Sequence, residues 1–327
     1  MGKKRTSSMK AFLDGDIVVF RSGFAAERNV WHLAWDPTNN IEEGQPDPAG
    51  ASLWKQHKVF EYNREAKEHL DKVCPGKYSR VEGSDYSMWP ERELEPLSHA
   101  LNNVKTTINY CMEKCDLSEF DLVVCLSGGG ETFRHRLATT RPYKGNRKSE
   151  HRPTYEKEIR DYIIANYNTV LANDEEADDL MAIGQTEEGP ENSVIITLDK
   201  DLDQVPGLKY NWLHDVRYTI TPAQANYNFH MQLMTGDTTD NIPGLPGIGP
   251  GKAAKALHGL AEPVEQLAEV CRMYQIHSGK ENWREYLIEQ GRLVYIRREN
   301  DEMWNLPEWF ENDGFEWDVG ELVMEVE

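Results

Sequence analysis

Cysteine is scarce in this chain, and it is not arranged in pairs. The five residues Cys74, Cys111, Cys115, Cys125 and Cys271 are odd in number and contain no C-x-x-C, which excludes a disulfide framework and a cysteine zinc site and fits a reducing, cytoplasmic setting. Long hydrophobic runs are missing too. No stretch approaches the roughly 18–20 apolar residues of a membrane span, so a transmembrane role is excluded at this level. The basic start MGKKRTSSMK leads into AFLDGDIVVF, an apolar run broken by two aspartates and without a small-residue cleavage site, so no secretory signal is expected. Internal repeats and extended low-complexity tracts are lacking. What remains is 39% hydrophobic over 327 residues with nine Trp, enough to bury one large domain or a main domain with a small lobe.

Positive charge is the minority sign. Thirty-six Lys and Arg against 56 Asp and Glu give −20, which at first sight disfavours a polyanionic partner. The average conceals a strong asymmetry: residues 299–327 carry eleven acids and no Lys or Arg, whereas residues 134–160 carry nine basic residues against three acids. Screening limits distant charge to about 8–10 Å, so a basic strip on an acidic body can still steer phosphates.

Along the chain, Ala11-Phe-Leu reads as a buried strand that stops at Asp14-Gly15-Asp16. Residues 36–90 are the least regular, with Pro37, Pro46, Pro48, Pro75 and Pro90 among polar residues, and read as an insertion of loops with one helix over Trp54–Leu70. Leu94, Leu97, Leu101, Val104, Ile108, Cys111 and Cys115 step by threes and fours, which predicts one buried helical face. Asp121–Leu126 and Ser193–Leu198 read as buried strands, with a helix near Tyr155–Ala165 and a short strand near Thr169–Ala172 between them. Strands alternating with helices imply an α/β fold: a central, mostly parallel sheet flanked by helices, with its ligand site outside the carboxyl ends of the strands.

Acids are predicted to gather at that edge. They are Asp14 after the first strand, Glu176, Asp178 and Asp179 at a helix start, Asp199 and Asp201 after the Ser193 strand, and Asp237 and Asp240 after a helical stretch ending near Met234. Singly, each reads as a helix cap or a solvated loop residue. Together in one pocket they would repel and raise one another's pKa unless cations neutralised them. Oxygen ligands without His or Cys favour Mg²⁺ or Mn²⁺ over zinc, and two such ions about 4 Å apart can activate water and stabilise the leaving oxygen in phosphodiester cleavage.

The basic strip contains Phe133-Arg134 and Tyr143-Lys144-Gly-Asn-Arg147. A helix starting at Lys144 would put Lys144 and Arg147 on one face beside Tyr143, whose ring can stack on an unpaired base, with the cations on the scissile phosphate. Downstream, Leu245-Pro-Gly247-Ile-Gly249-Pro-Gly251-Lys252 spaces glycines before a helix start; such a hairpin exposes backbone N–H groups to a nucleic-acid backbone and matches a helix-hairpin-helix.

These residues resemble the 5′ nuclease (flap endonuclease) superfamily, which includes the 5′-nuclease domain of bacterial DNA polymerase I and the phage 5′ to 3′ exonucleases. The likeness rests on Leu13-Asp-Gly-Asp16, Phe133-Arg134 with Tyr143–Arg147, Glu176-Ala-Asp-Asp179, Thr197–Asp201 and Gly236–Lys252, over roughly residues 9–257. The Asp-Gly-Asp start and Glu289–Arg297 are similar to the exonuclease of T-odd phages. The resemblance implies a PIN-like 5′ nuclease core over 9–220 with the insertion 36–90 and a basic arch region 134–165, a helix-hairpin-helix lobe over 221–298, and an acidic, Trp-containing tail over 299–327. It implies two divalent ions, Mg²⁺ or Mn²⁺, held by Asp14, Glu176, Asp178, Asp179, Asp199, Asp201, Asp237 and Asp240. It also implies that Arg134, Lys144 and Arg147 contact phosphate as catalytic residues and that Tyr143 stacks on a terminal base. Gly247, Gly249, Gly251 and Lys252 would grip the duplex, with K⁺ at the hairpin. A monomer acting on DNA with a 5′ end, nick or flap is expected; for the acidic tail with Trp304, Trp309 and Trp317, capping of the domain by buried aromatics is the first expectation, with DNA mimicry or contact with a replication protein as the alternatives.

In many relatives an aspartate stands six residues before the Phe of Phe133-Arg134. Here that position is Ser127, leaving Glu131 or a water to fill the gap, and weaker metal binding rather than lost activity is the expectation. Three rival readings remain. An ATP-pyrophosphatase loop is similar to Ser127-Gly-Gly-Gly130, but Glu131-Thr132 breaks its last two places. A non-catalytic DNA-structure binder would have no reason to keep a self-repelling acid cluster. An RNase H-like enzyme removing RNA from RNA–DNA hybrids would use the same site.

Overall fold

A computed structural model of the chain describes residues 9–35, 56–73, 86–118, 121–147 and 152–307. In chain order its elements are β1 (Lys10–Asp14), α1 (Gly15–Phe24), β2 (Glu27–Trp35), β3 (Gln56–Phe60), α2 (Asn63–Val73), β4 (Tyr86–Leu94), α3 (Leu97–Cys115), β5 (Leu122–Leu126), α4 (Phe133–Leu137), α5 (Glu156–Asn166), β6 (Thr169–Leu171), α6 (Ala177–Glu188), β7 (Ser193–Ile196), β8 (Gly207–Asn211), β9 (Val216–Ile220), α7 (Pro222–Thr235), α8 (Pro250–Leu257), α9 (Pro263–His277) and α10 (Trp283–Val294). The chain divides into two compact units, one of residues 1–17, 110–151 and 166–327, the other of residues 18–109 and 152–165.

The first unit holds a six-stranded sheet in the order β6-β5-β1-β7-β8-β9. All pairings are parallel except β8 with β9, so the sheet is mostly parallel, as the strand–helix alternation predicts. Apolar runs build its centre because a strand between two neighbours is covered on both faces. Phe12 is level with Val123 on one side and Ile195 on the other, and Met181 and Ala182 of α6 pack in the same buried cluster. The chain leaves β1 toward β5 and β6 on one side and later fills β7 and β8 on the other. The carboxyl ends of β1, β5 and β7 therefore frame the crevice where such sheets bind ligands.

A second apolar cluster in this unit belongs to α7–α10: Leu233, Val270, Tyr274 and Leu287 are fully buried in it, and Ala253 and Leu257 bring in α8. Trp304, beyond α10, packs edge-on to Phe229 at 5.5 Å, so this part of the acidic tail caps the helices. Trp309 and Trp317 lie outside the described residues.

In the second unit β3-β2-β4 form an antiparallel sheet, with Leu33, Trp35 and Phe60 packed against Leu70 of α2. The helix expected over Trp54–Leu70 is therefore replaced by a strand at Gln56–Phe60 and a later helix, because cross-strand pairing with β2 overrides the weak local pattern. The remainder of that insertion, 36–55 and 74–85, lies outside the described residues. The periodic stripe of α3 is buried as expected at Val104, Ile108, Cys111 and Cys115, but Leu94 ends β4 and is exposed. Among the described residues no helix is long and apolar enough to cross a membrane.

Candidate active site

A cavity of about 790 Å³ opens at the carboxyl ends of the central strands, entirely within the first unit. Nine acids (Asp14, Asp16, Glu176, Asp178, Asp199, Asp201, Asp203, Asp237, Asp240) and three cations (Lys144, Arg147, Lys200) line it. Such an imbalance creates a strongly negative field in a partly desolvated space.

Asp14 is the last residue of β1 and is 4% exposed. It accepts hydrogen bonds from Ile17 N at 3.1 Å and Thr197 Oγ1 at 2.9 Å. Burial nevertheless pushes its carboxyl up to about 7, with Asp16 and Asp199 adding to the rise. Gly15 is needed here, since a Cβ would come within 2.7 Å of Cys125 O and of the Val124 and Leu126 side chains. After β7, Asp199 caps a 3-10 turn, Lys200–Gln204, by accepting from Asp201 N at 2.9 Å. Asp201 is also pushed to about 7, by burial first and then by Asp199 and Asp237. At the start of α6, burial raises Asp178 well above the usual carboxylate range, and Asp14 and Asp199 raise it further.

The fourth acidic segment owes its shape to two glycines. Gly236 (φ 67°) and Gly244 (φ 59°) approach so closely that a Cβ on Gly236 would lie 2.5 Å from Gly244 N. Reciprocal bonds between Asp237 and Ile242 (2.8 and 2.7 Å) close the loop, and Asp237 Oδ1 accepts from Thr239 N at 2.7 Å.

The basic loop is zipped onto that segment: Lys144 N donates to Asp240 O at 2.9 Å, Asn146 Nδ2 to Thr238 O at 2.6 Å and Asn241 Nδ2 to Pro142 O at 2.9 Å. No helix starts at Lys144. Its φ is 55°, and Arg147 N closes a turn on Lys144 O at 3.0 Å. Both cations still reach the cavity, where Lys144 is ion-paired with Glu176 and Arg147 with Asp240 at 2.6 Å.

Three side chains are engaged otherwise than the resemblance implies. Tyr143, expected to stack on a base, is 5% exposed, and its hydroxyl lies 2.7 Å from Glu176 Oε2 and 2.8 Å from Asp240 Oδ2. Arg134, expected on the phosphate, is 3% exposed, lies outside the cavity lining and is bound bidentately to Asp179 at 2.6 and 2.8 Å. Asp179, expected among the cation ligands, is fully buried in that pair; burial alone would raise its carboxyl, but Arg134 holds it below the ordinary range. Ser127 does line the cavity. Its hydroxyl accepts from Ala177 N and its N–H donates to Asp16, each at 3.1 Å, whereas Glu131 is exposed and outside the lining.

Gly247, Gly249, Gly251 and Lys252 are exposed on the hairpin, and Gly249 begins α8 as its cap while Ile248 is buried in the helical core. They lie outside the cavity lining, though Pro250 belongs to it. Sequence reading missed the opposite wall, where α7 contributes Tyr227, Asn228, Met231, Gln232 and Thr235. Their spacing along one helical face was the available signal.

Among the described residues, no three His, Cys, Asp or Glu side chains converge closely enough to hold a metal ion as they stand. The donor set still fits hard divalent cations. Its members are oxygens only, and Asp14, Asp178 and Asp201, raised first by burial and further by neighbouring carboxylates, form a group that a cation would relieve.

No family model matches the chain. It is similar to DNA polymerase I of Bacillus caldotenax, 30% identical over 205 residues, which is 54% of this chain and 22% of that protein. It is also similar to DNA polymerase I of Bacillus subtilis, 31% identical over 173 residues, 45% of this chain and 18% of that protein. The chain thus spans less than a quarter of the length of these curated relatives. Among solved structures, the flap endonuclease of bacteriophage T5 in a complex with DNA and metal ions overlaps at a TM-score of 0.47 and 17% identity, over 59% of this chain and 80% of that one.

Proposed function

We propose that this chain, a member of the 5′ nuclease superfamily, hydrolyses phosphodiesters at or near the 5′ ends of duplex DNA, as a cation-dependent 5′ to 3′ exonuclease and flap endonuclease. One observation carries the reading: a single cavity collects Asp14, Asp178, Asp199, Asp201 and Asp237 from four separate segments and sets Lys144 and Arg147 on its rim. The similarity to DNA polymerases supports DNA as the polymer acted on.

Asp14, Asp178, Asp199, Asp201 and Asp237 would hold two divalent cations. Bound there, the ions would neutralise the cluster and polarise the phosphodiester. Lys144 and Arg147 orient the scissile phosphate and offset the charge that grows on it, the guanidinium by a two-point contact and the ammonium as a point charge. Glu176 and Asp240 hold these two cations in place, and Ser127 keeps Asp16 and the start of α6 together. The exposed hairpin at Gly247, Gly249, Gly251 and Lys252, with K⁺ as its counter-ion, grips the duplex backbone, and residues 221–298 form its lobe.

The test is a gel assay of 5′-labelled blunt, nicked, flap and RNA–DNA hybrid substrates with Mg²⁺ or Mn²⁺. Release of short 5′-phosphorylated products is expected, and Asp178→Asn should lower the rate at least about a hundredfold while DNA binding persists. A pure binder would cleave none of the four, and exclusive cleavage of the hybrid would redirect the assignment to RNA removal.

A further inference from the structure

We infer that Arg134 and Asp179 form a positioning clamp that acts on the reaction only through the helix start carrying Glu176 and Asp178; the inference rests on the nuclease reading above. A guanidinium has five N–H groups, and all five of Arg134 are engaged. Nε donates to Leu293 O at 3.1 Å, Nη1 to Asp179 Oδ2 at 2.6 Å and Glu176 Oε2 at 3.4 Å, and Nη2 to Asp179 Oδ1 at 2.8 Å and Tyr295 O at 2.7 Å. None is left for a substrate phosphate.

The carboxylate is as fully occupied. Besides Arg134, Asp179 Oδ2 accepts from Glu176 N at 3.1 Å and Oδ1 from Arg297 N at 3.0 Å, which fills the lone pairs a cation would need. The fork is held from its other side by Phe133, whose ring lies 4.6 Å from the Arg134 guanidinium carbon and 3.6 Å from that of Arg297.

The pair therefore joins three segments remote in sequence: α4, the first turn of α6, and residues 293–297 at the end of α10 and just beyond it. Successive helical residues are turned by about 100°, so fixing Asp179 inward fixes the direction in which Asp178 leaves the helix. Arg134 also touches Glu176, whose other oxygen holds Lys144. Lysine cannot replace this fork, because one ammonium cannot make the paired contacts and reach two carbonyls.

Arg134→Gln, Arg134→Lys, Asp179→Asn and the volume-matched double variant Arg134→Met with Asp179→Leu separate the possibilities, with Arg147→Gln as the phosphate-contact control. Each of the three single clamp variants should lower kcat at least about thirtyfold with KM, and DNA affinity measured in Ca²⁺, within about threefold of the parent. Arg147→Gln should lower kcat and also weaken DNA affinity at least about tenfold, a joint loss that the clamp variants lack. Hydrogen exchange decides the inference without turnover: amides of residues 175–181 and 293–297 should exchange faster in Arg134→Gln while the other strands and helices keep their protection. The inference is overturned if Arg134→Gln weakens DNA binding tenfold at unchanged kcat, if Asp179→Asn is silent, if the folded double variant is fully active, or if exchange of both segments is unchanged. Absence of cleavage by the parent protein would remove the nuclease reading and leave the exchange result standing by itself.

Discussion

Tyr143 has one hydroxyl proton and two carboxylate neighbours, Glu176 and Asp240, so it can donate to only one at a time. Its burial and the Glu176 charge both raise its own pKa, which keeps it a donor at any working pH. Removing the hydroxyl while keeping the ring separates this role from base stacking. Tyr143→Phe should slow cleavage about tenfold, the effect of losing roughly 1.4 kcal/mol of charge-assisted hydrogen bonding, whereas a stacking ring would tolerate the change. Steady-state kinetics on a nicked duplex measures it. Lys209 presents the opposite case, a cation in the sheet that the chemistry does not use. Burial lowers its ammonium to about 7, and its Nζ donates to Gln185 Oε1 at 2.6 Å. Which acid of Glu176-Ala-Asp-Asp179 faces the cavity was not legible beforehand, because Asp179 is claimed by Arg134 and by Arg297, 118 positions away in sequence. Local spacing carries no record of such a contact.

At the scale of elements, the strands that form the sheet centre were legible because each is a short apolar run ending at an acid or a glycine. The sheet of β2, β3 and β4 was not. Its pattern is diluted by Pro90 and by polar residues on one face, and its pairing crosses long segments. The basic loop was legible in composition but not in shape, since bonds from Lys144 N to Asp240 O and from the Asn146 side chain to Thr238 O, nearly a hundred positions on, hold it in a turn instead of a helix. The loop it meets depends on a close crossing of Gly236 and Gly244. Gly236→Ala would drive a methyl group to 2.3 Å from Ile242 O in a left-handed conformation, and should destabilise the protein by about 3 kcal/mol or more through overpacking and strain. Gly249→Ala meets open space at an ordinary φ of −96°, so its cost should stay under about 1 kcal/mol while its added methyl weakens duplex binding. Urea unfolding and a DNA-binding isotherm on the two variants read both effects.

For the whole molecule, stability should dip near neutrality when divalent cations are withheld. Asp14 and Asp201, raised to about 7, bind more protons folded than unfolded between their ordinary value near 4 and 7, so their contribution is lost as pH climbs through 7. Lys209, lowered to about 7, binds fewer protons folded than unfolded between 7 and 10.5, so stability recovers over that interval. Calorimetry in chelator should give a lower Tm at pH 7 than at pH 5.5 or 9, and Mg²⁺ should lift the value at pH 7 most. A Tm that rises steadily from 5.5 to 9 in chelator would contradict the assigned titrations. Lys209→Met should flatten only the alkaline limb.

Lys144 and Arg147 meet the cavity with anions of their own already in hand, Glu176 and Asp240. If the chain cleaves DNA as proposed, an incoming phosphate would not settle on bare cations; it would trade places with tethered carboxylates that remain poised to reclaim them. Such a swap would temper how long any cleaved end is retained and would favour repeated turnover over product inhibition. Trimming Asp240 to Asn should then make the spent strand linger, turning an internal competitor into a missing ejector.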